Sequence, residues 1–320
     1  MRGGWKATFS ICAVDVDAGE AGCAVQSRYF SVGSVVPWAK AGVGAVATQA
    51  AGVAAYGARV LERLEAGVAA FGPRVLALLE DGIEPKVALD RVLADDPGRE
   101  SRQLGVVTAD GRAAAHTGSE CLAWAGHRVG DGYAVQGNIL AGEAVVSGME
   151  RAFLETAGSS LAGRLVSALE AAQAAGGDAR GQQSSALVVE RTGAAVESRE
   201  GIDRVCDLRV EDHPEPIVEL RRLLGIHQVW DALRRASLFH EPGKYVDGAA
   251  VLREALARHG DDPVLLYDLA CFESLGGETE EALAHVTRAL ELDPQLASGA
   301  ARDTDFEPLR QDPRFQSVVS

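Results

Sequence analysis

Residues 8–16 read Thr8-Phe9-Ser10-Ile11-Cys12-Ala13-Val14-Asp15-Val16, a run rich in strand formers. A period of two puts Thr8, Ser10 and Cys12 on one face of the strand, and Phe9, Ile11 and Ala13 on the other. The turn Asp17-Ala18-Gly19-Glu20 then sends the chain back, and residues Gly22 to Ser27 read as the returning strand of a hairpin. A third strand, Gly44 to Gln49, follows a Pro37-Trp38 segment.

Helical patterning follows, and with it an internal repeat. Residues 54–68 (AAYGARVLERLEAGV) recur as 69–83 (AAFGPRVLALLEDGI), with nine of fifteen positions identical, so a local duplication is the simplest account. Each copy carries its own Gly near its end, which predicts two short helices rather than one long one. The stripe Val60/Val75, Leu61/Leu76 and Leu64/Leu79 predicts that both pack on the sheet. A third helix is expected from Glu84 to Ala94. Strands resume at Gln103 to Ala109, and Asp110-Gly111 signals a type I′ hairpin before Arg112 to Thr117. A further hairpin is expected over Trp124 to Gln136. Helices follow at 143–155 and 161–175, and strands at 184–191 and 204–210. Blocks of strands and helices joined by hairpins indicate an α+β, antiparallel layer architecture.

His213-Pro214-Glu215-Pro216 closes this sheet block. Residues 217–224 are expected to form a helix on its edge, with a linker beginning at Gly225. Two domains follow from this reading, 1–224 and 225–320, as a 320-residue chain leads one to expect. The second is helical to its end. A 34-residue unit starting at Pro263 places Leu266, Leu269, Ala270, Ala282, Val286, Ala289 and Pro294 at the packing positions of a tetratricopeptide-like repeat. About one and a half such units are present, fewer than the three that usually bury a solenoid core. This domain is therefore expected to lean on the sheet domain or on a second subunit, as in a homodimer, and a protein partner through the helical repeats is a further expectation.

The formal net charge of −15, with no cluster of Lys and Arg, argues against nucleic acid or an anionic membrane as partner. Five scattered cysteines without a CxxC fit reduced thiols in a cytoplasmic protein, and neither a signal peptide nor a membrane-length apolar run is visible. No P-loop, dinucleotide fingerprint or HExxH motif occurs, so no cofactor is expected. His116, Cys121 and His127 match no standard zinc spacing, and no metal is expected there either.

Several stretches together resemble one bacterial family. They are Thr8-Phe9-Ser10-Ile11, residues 24–28, Gly42-Val43-Gly44-Ala45-Val46-Ala47-Thr48-Gln49, Ala115-His116-Thr117-Gly118, Trp124-Ala125-Gly126-His127 and Tyr133-Ala134-Val135-Gln136-Gly137-Asn138. In this order they resemble the domain of unknown function 1028 family, a member of the N-terminal-nucleophile hydrolase superfamily. The resemblance covers residues 8–224. It implies a four-layer αββα sandwich whose superfamily relatives mostly hydrolyse amide bonds with the first residue of a processed chain.

Thr8 suits that chemistry. An N-terminal Thr carries its own base, an α-amine of pKa roughly 7.7–8.0, so no separate His is required. A cut between Ala7 and Thr8 is needed to free that amine. Gln49 and Asn138, at strand ends, suit orientation or polarisation of a carbonyl. Gln136 and Ser27 are expected to contact substrate, and Arg28 to bind a substrate carboxylate bidentately. Gln26 stands where active relatives carry an acidic residue. His116 is a candidate acid/base or positioning group. Asp178 and Gln183, in a polar loop, are expected to line the same cleft. Lys40 lies 32 residues beyond Thr8, a spacing that fits an amine-tuning lysine, and Ser10 and Cys12 are the next nucleophile candidates on the same strand face. The expected function is therefore an amidohydrolase acting on a small amide or peptide-like substrate. The alternative is a catalytically silent sheet domain that serves as a binding module, with the helical tail engaging a protein.

Overall fold

The computed structural model describes residues 8–50, 71–197 and 201–320. The chain divides into two compact units, Met1–Leu224 and Gly225–Ser320.

In the first unit β1 (Thr8–Asp15) and β2 (Glu20–Ser27) form the opening hairpin. Then come β3 (Pro37–Lys40), β4 (Gly44–Ala50), α1 (Phe71–Glu80), α2 (Pro85–Leu93), β5 (Arg102–Thr108) and β6 (Ala113–Thr117). The unit continues with β7 (Gly126–Gly130), β8 (Tyr133–Asn138), α3 (Glu143–Glu155), α4 (Leu161–Ala174), β9 (Ser184–Arg191) and β10 (Arg204–Val210), and α5 spans Pro216–Ser237. The strands form two antiparallel sheets, ordered β10-β9-β2-β1-β8-β7 and β3-β4-β5-β6.

The pleat of β1 decides where each layer lies. Phe9, Ile11 and Ala13 pack against Met149 of α3 and Leu161, Leu165 and Leu169 of α4. Cys12 and Val14 turn the other way, to Ala45 and Ala47 of β4 and Val107 of β5, so this face meets the second sheet. The outer face of that sheet (Val46, Leu104, Val106, Ala114) is covered by Val75, Leu76 and Leu79 of α1 and Leu89, Val92 and Leu93 of α2. Each large side chain buried this way contributes roughly 1.5–3 kcal/mol. Three apolar layers thus hold two sheets and their helices together.

Three details differ from the pattern read in the sequence. Residues 37–40 form a short edge strand, β3, paired to β4. The turn at Asp110-Gly111 is not type I′, because only Gly111 (φ 90°) has a positive φ. No linker begins at Gly225, since α5 runs through it. A lone Gly inside a helix costs only about 1 kcal/mol, and the chain meets no proline there to stop it. The second copy of the duplication carries α1, whereas residues 54–68 lie outside the described residues.

The second unit holds α6 (Tyr245–His259), α7 (Pro263–Gly276), α8 (Thr279–Leu292) and α9 (Pro313–Val318). The Asp262 carboxylate accepts from the Val264 and Leu265 amides and starts α7, while Gly277 at φ 82° ends it. Leu266, Leu269, Ala270, Ala282, Val286 and Ala289 are all buried. Glu273, also buried, takes Arg253 at 2.8 Å and His285 at 2.7 Å. All five cysteines are free, and among the described residues no helix is long and apolar enough to cross a membrane.

Asp268 on α7 is the unusual ionisable group of this unit. Burial, and then the charges of Asp303 and Asp305, push its carboxyl up to about 6. The fold therefore binds this proton more tightly than the unfolded chain, whose carboxyl titrates near the ordinary value of about 3.9. The resulting stability is complete at low pH and is lost as pH rises through about 6, at no more than about 1.4 kcal/mol per pH unit. Hydrogen exchange, corrected for intrinsic rates, is expected to show α7 and α8 better protected at pH 5 than at pH 7. Asp268→Asn should flatten that difference, and equal protection at both values would contradict it.

Candidate active site

The inner space between the two sheets is apolar at one end and polar at the other. Thr8, Ser10, Ser27, Gln49, Gln103, Gln136 and Asn138 line the polar end, and each is at most 6% exposed. Strand register gathers them. Thr8 lies opposite Ser27 on one side and Asn138 on the other, Ser10 opposite Gln136, and Gln49 opposite Gln103. A slip of one residue in any of these pairs would turn the polar side chains to the helical faces.

The side chains form one connected network. Thr8 Oγ1 is 3.0 Å from Ser27 Oγ. Ser10 Oγ donates to Gln49 Oε1 at 2.7 Å and accepts from Gln136 Nε2 at 2.6 Å. Gln49 Nε2 donates to the Thr8 carbonyl (3.3 Å) and to Gln103 Oε1 (2.9 Å), which also accepts from Asn138 Nδ2 at 2.9 Å. Gln103 Nε2 faces Thr117 Oγ1 and the carbonyls of Gly126 and Gly137, at 2.9, 3.1 and 2.9 Å. Thr117 Oγ1 is also 2.8 Å from His127 Nδ1, a bond whose direction goes with the tautomer of the imidazole. Partial burial, and then the charge of His116, lower the His127 pKa, in keeping with a neutral imidazole.

With His127 neutral, none of these side chains carries a formal charge. Amides and hydroxyls satisfy one another in a space that excludes water, where an unpaired polar group is costly. Gly105 makes the packing feasible: a Cβ there would sit 1.9 Å from Gln136 Oε1. That oxygen is buried with no hydrogen-bond partner. Backbone strain sits beside the same groups. Ala50, after Gln49, has φ 76°, and Ile139, after Asn138, has φ 53°. Left-handed φ costs a non-glycine residue about 1–2 kcal/mol, and such strain gathers at functional sites.

The family of unknown function DUF1028 matches residues 8–71 and 68–220, about two thirds of the chain. The crystal structure of protein SPO2555 from Silicibacter pomeroyi, assigned to the same family, superposes with a TM-score of 0.56 at 30% identity, covering 68% of this chain and 88% of that one. This chain belongs to the DUF1028 family. No curated protein matches it. The two DUF1028 matches overlap at residues 68–71, where the copies of the sequence repeat meet.

Within this DUF1028 site the structure brings together Thr8, Ser27, Gln49, Gln136 and Asn138. Arg28, next to Ser27, is exposed, its Nη1 donating to the Gln182 carbonyl at 3.1 Å. Asp178 is committed to the frame: its carboxylate accepts from the Arg28 amide at 2.9 Å and pairs with Arg180. Gln183 Nε2 reaches Asp212 at 3.0 Å. His116 lies outside the network, on the face of β6 opposite Thr117, with Nε2 at 3.0 Å from the Arg99 carbonyl. Cys121 donates to the Arg102 carbonyl instead of joining either histidine. Lys40 pairs with Glu80 at 2.5 Å, at the end of β4 away from Gln49, so its spacing from Thr8 carries no contact. Among the described residues no group of three or more metal-ligating side chains gathers.

Gln103 and Thr117 are the members that sequence reasoning missed. The available signal was a Gln early in β5, in step with Gly105 and Val107 on the face that turns to the first sheet. Ser10 is the testable centre of the network. Ser10→Ala leaves Gln49 Oε1 and a Gln136 N–H unpaired in a buried space, so urea unfolding should show a loss of about 3 kcal/mol, well above the usual ~1 kcal/mol for one hydrogen bond. A loss under about 0.5 kcal/mol would show that water replaces the hydroxyl.

Proposed function

We propose that the sheet unit is an amidohydrolase of the N-terminal-nucleophile type, with Thr8 as nucleophile once the Ala7–Thr8 bond has been cut. The observation that carries this reading is the place of Thr8. It opens β1, directly between Ser27 and Asn138, with its side chain turned into the polar end of the inter-sheet space. The helix, sheet, sheet and helix layering of the three apolar cores is also what the αββα sandwich of that superfamily requires.

The chemistry needs few groups. The freed α-amine, of pKa roughly 7.7–8.0, takes the Oγ1 proton as that oxygen attacks the substrate carbonyl. An amide donor at a strand end stabilises the oxyanion. The amine then returns the proton to the leaving nitrogen, and water hydrolyses the ester formed on Thr8. Ser27 Oγ, 3.0 Å from the nucleophile, holds its rotamer. Arg28 beyond it offers a fork for a substrate carboxylate. A small amide or peptide-like substrate fits a site built of uncharged donors and acceptors.

One observation favours a second reading, a catalytically silent sheet unit acting as a binding module. Gln26, where active relatives carry an acid, is neutral and buried, and neither of its amide atoms has a partner. In that reading the 34-residue unit from Pro263 is a tetratricopeptide-like repeat that engages a protein.

Intact-protein mass and a panel of acyl p-nitroanilides separate the two. The amidohydrolase reading predicts loss of residues 1–7, hydrolysis abolished in Thr8→Ala, and partial activity in Thr8→Ser. Thr8→Ala should unfold within about 1 kcal/mol of wild type, because it removes one hydroxyl. An uncut chain that hydrolyses the panel, or an undiminished Thr8→Ala variant, removes Thr8 from the role.

A further inference from the structure

We propose that Gln103 is the positioning residue of this site: it fixes the direction of every amide around Thr8 and leaves Asn138 as the one with an N–H free for a substrate carbonyl. The catalytic half of this inference rests on the amidohydrolase reading; the structural half does not.

Main-chain carbonyls only accept hydrogen bonds. The Gly126 and Gly137 carbonyls, on paired strands β7 and β8, both lie within 3.1 Å of the same end of the Gln103 side chain. That end must be the nitrogen. Its two hydrogens already face three acceptors, counting Thr117 Oγ1, so nothing is left over there. Oε1 consequently faces the opposite way and takes N–H groups from both Gln49 and Asn138.

The direction then propagates. Gln49 spends one hydrogen on Gln103 and the other on the Thr8 carbonyl, so its oxygen must take the Ser10 proton. Ser10 Oγ, having donated, accepts from Gln136, whose nitrogen spends its second hydrogen on the Ser10 carbonyl at 3.2 Å. Gln136 Oε1 is left over, which explains why that oxygen is buried without a partner. Asn138 spends only one of its two hydrogens, on Gln103. It lies opposite Thr8 in the ladder, beside the nucleophile. Gln49 has no hydrogen to give, so it holds the frame while Asn138 is the oxyanion donor. Reversing Gln103 would set its oxygen against two carbonyls and its nitrogen against two N–H groups.

Side-chain amide resonances of ¹⁵N-labelled protein test this directly. In Gln103→Met the Gln49 and Asn138 side-chain N–H resonances should move at every pH. Gln103→Glu mimics the native pattern only while its carboxyl is protonated, so the same resonances should sit at wild-type positions at low pH and move as pH rises, with wild type flat over that range. Thr117→Val should leave them in place, because the two carbonyls still orient Gln103. Unmoved resonances in Gln103→Met, a pH-independent Gln103→Glu spectrum, or displacement in Thr117→Val would each overturn the inference. With acyl p-nitroanilides as probe, Gln103→Met should lower kcat at least about tenfold with KM little changed, as loss of an oriented oxyanion donor requires. If wild type hydrolyses none of them, the amidohydrolase reading fails while the resonances still decide the role of Gln103.

Discussion

The pleat of β1 constrains the rest of the sheet unit. Strand geometry allows each residue one face only, so Phe9, Ile11 and Ala13 are committed to the helices and Thr8, Ser10, Cys12 and Val14 to the second sheet. The inner face changes from polar to apolar along eight residues. Its apolar end glues the sheets together through Cys12 and Val14. Its polar end cannot do so without partners, and β2, β4, β5 and β8 each bring one at matching height. The candidate site is therefore the polar end of a core, built by the same alternation that builds the core.

That origin accounts for the site's chemistry. A charged side chain in this space would face a desolvation cost of several kcal/mol, whereas amides and hydroxyls can satisfy one another. The only ionisable group in the chain of bonds, His127, sits at its outer end, where partial burial lowers its pKa and favours the neutral ring. A nucleophile here has to bring its own base, which an N-terminal Thr does. Left-handed φ at Ala50 and Ile139 places backbone strain directly beside Gln49 and Asn138.

Much of the fold was legible because most strands carry a strong period of two. Helices 143–155 and 161–174 and strands 184–191 and 204–210 are bounded by turn residues that leave little choice. The site was legible only in part. Thr8, Gln49 and Asn138 stand at strand ends with clear faces. His116 and Thr117 do not, because β6 is otherwise all alanine and its periodicity cannot say which of two neighbours points inward. Gln103 was illegible for another reason: its partners come from β4, β6, β7 and β8, and no local pattern encodes a contact assembled from four strands. Lys40 shows the converse, a spacing that carries meaning only when the strands run the right way.

Covalent capture of the nucleophile tests the account most directly. After incubation with a β-lactone that acylates activated hydroxyls, peptide mass mapping should find the acyl group on a peptide beginning with Thr8, and none in Thr8→Ala. Acylation at Ser10 or another residue, or an unlabelled peptide in which Ala7 is still joined to Thr8, would contradict it.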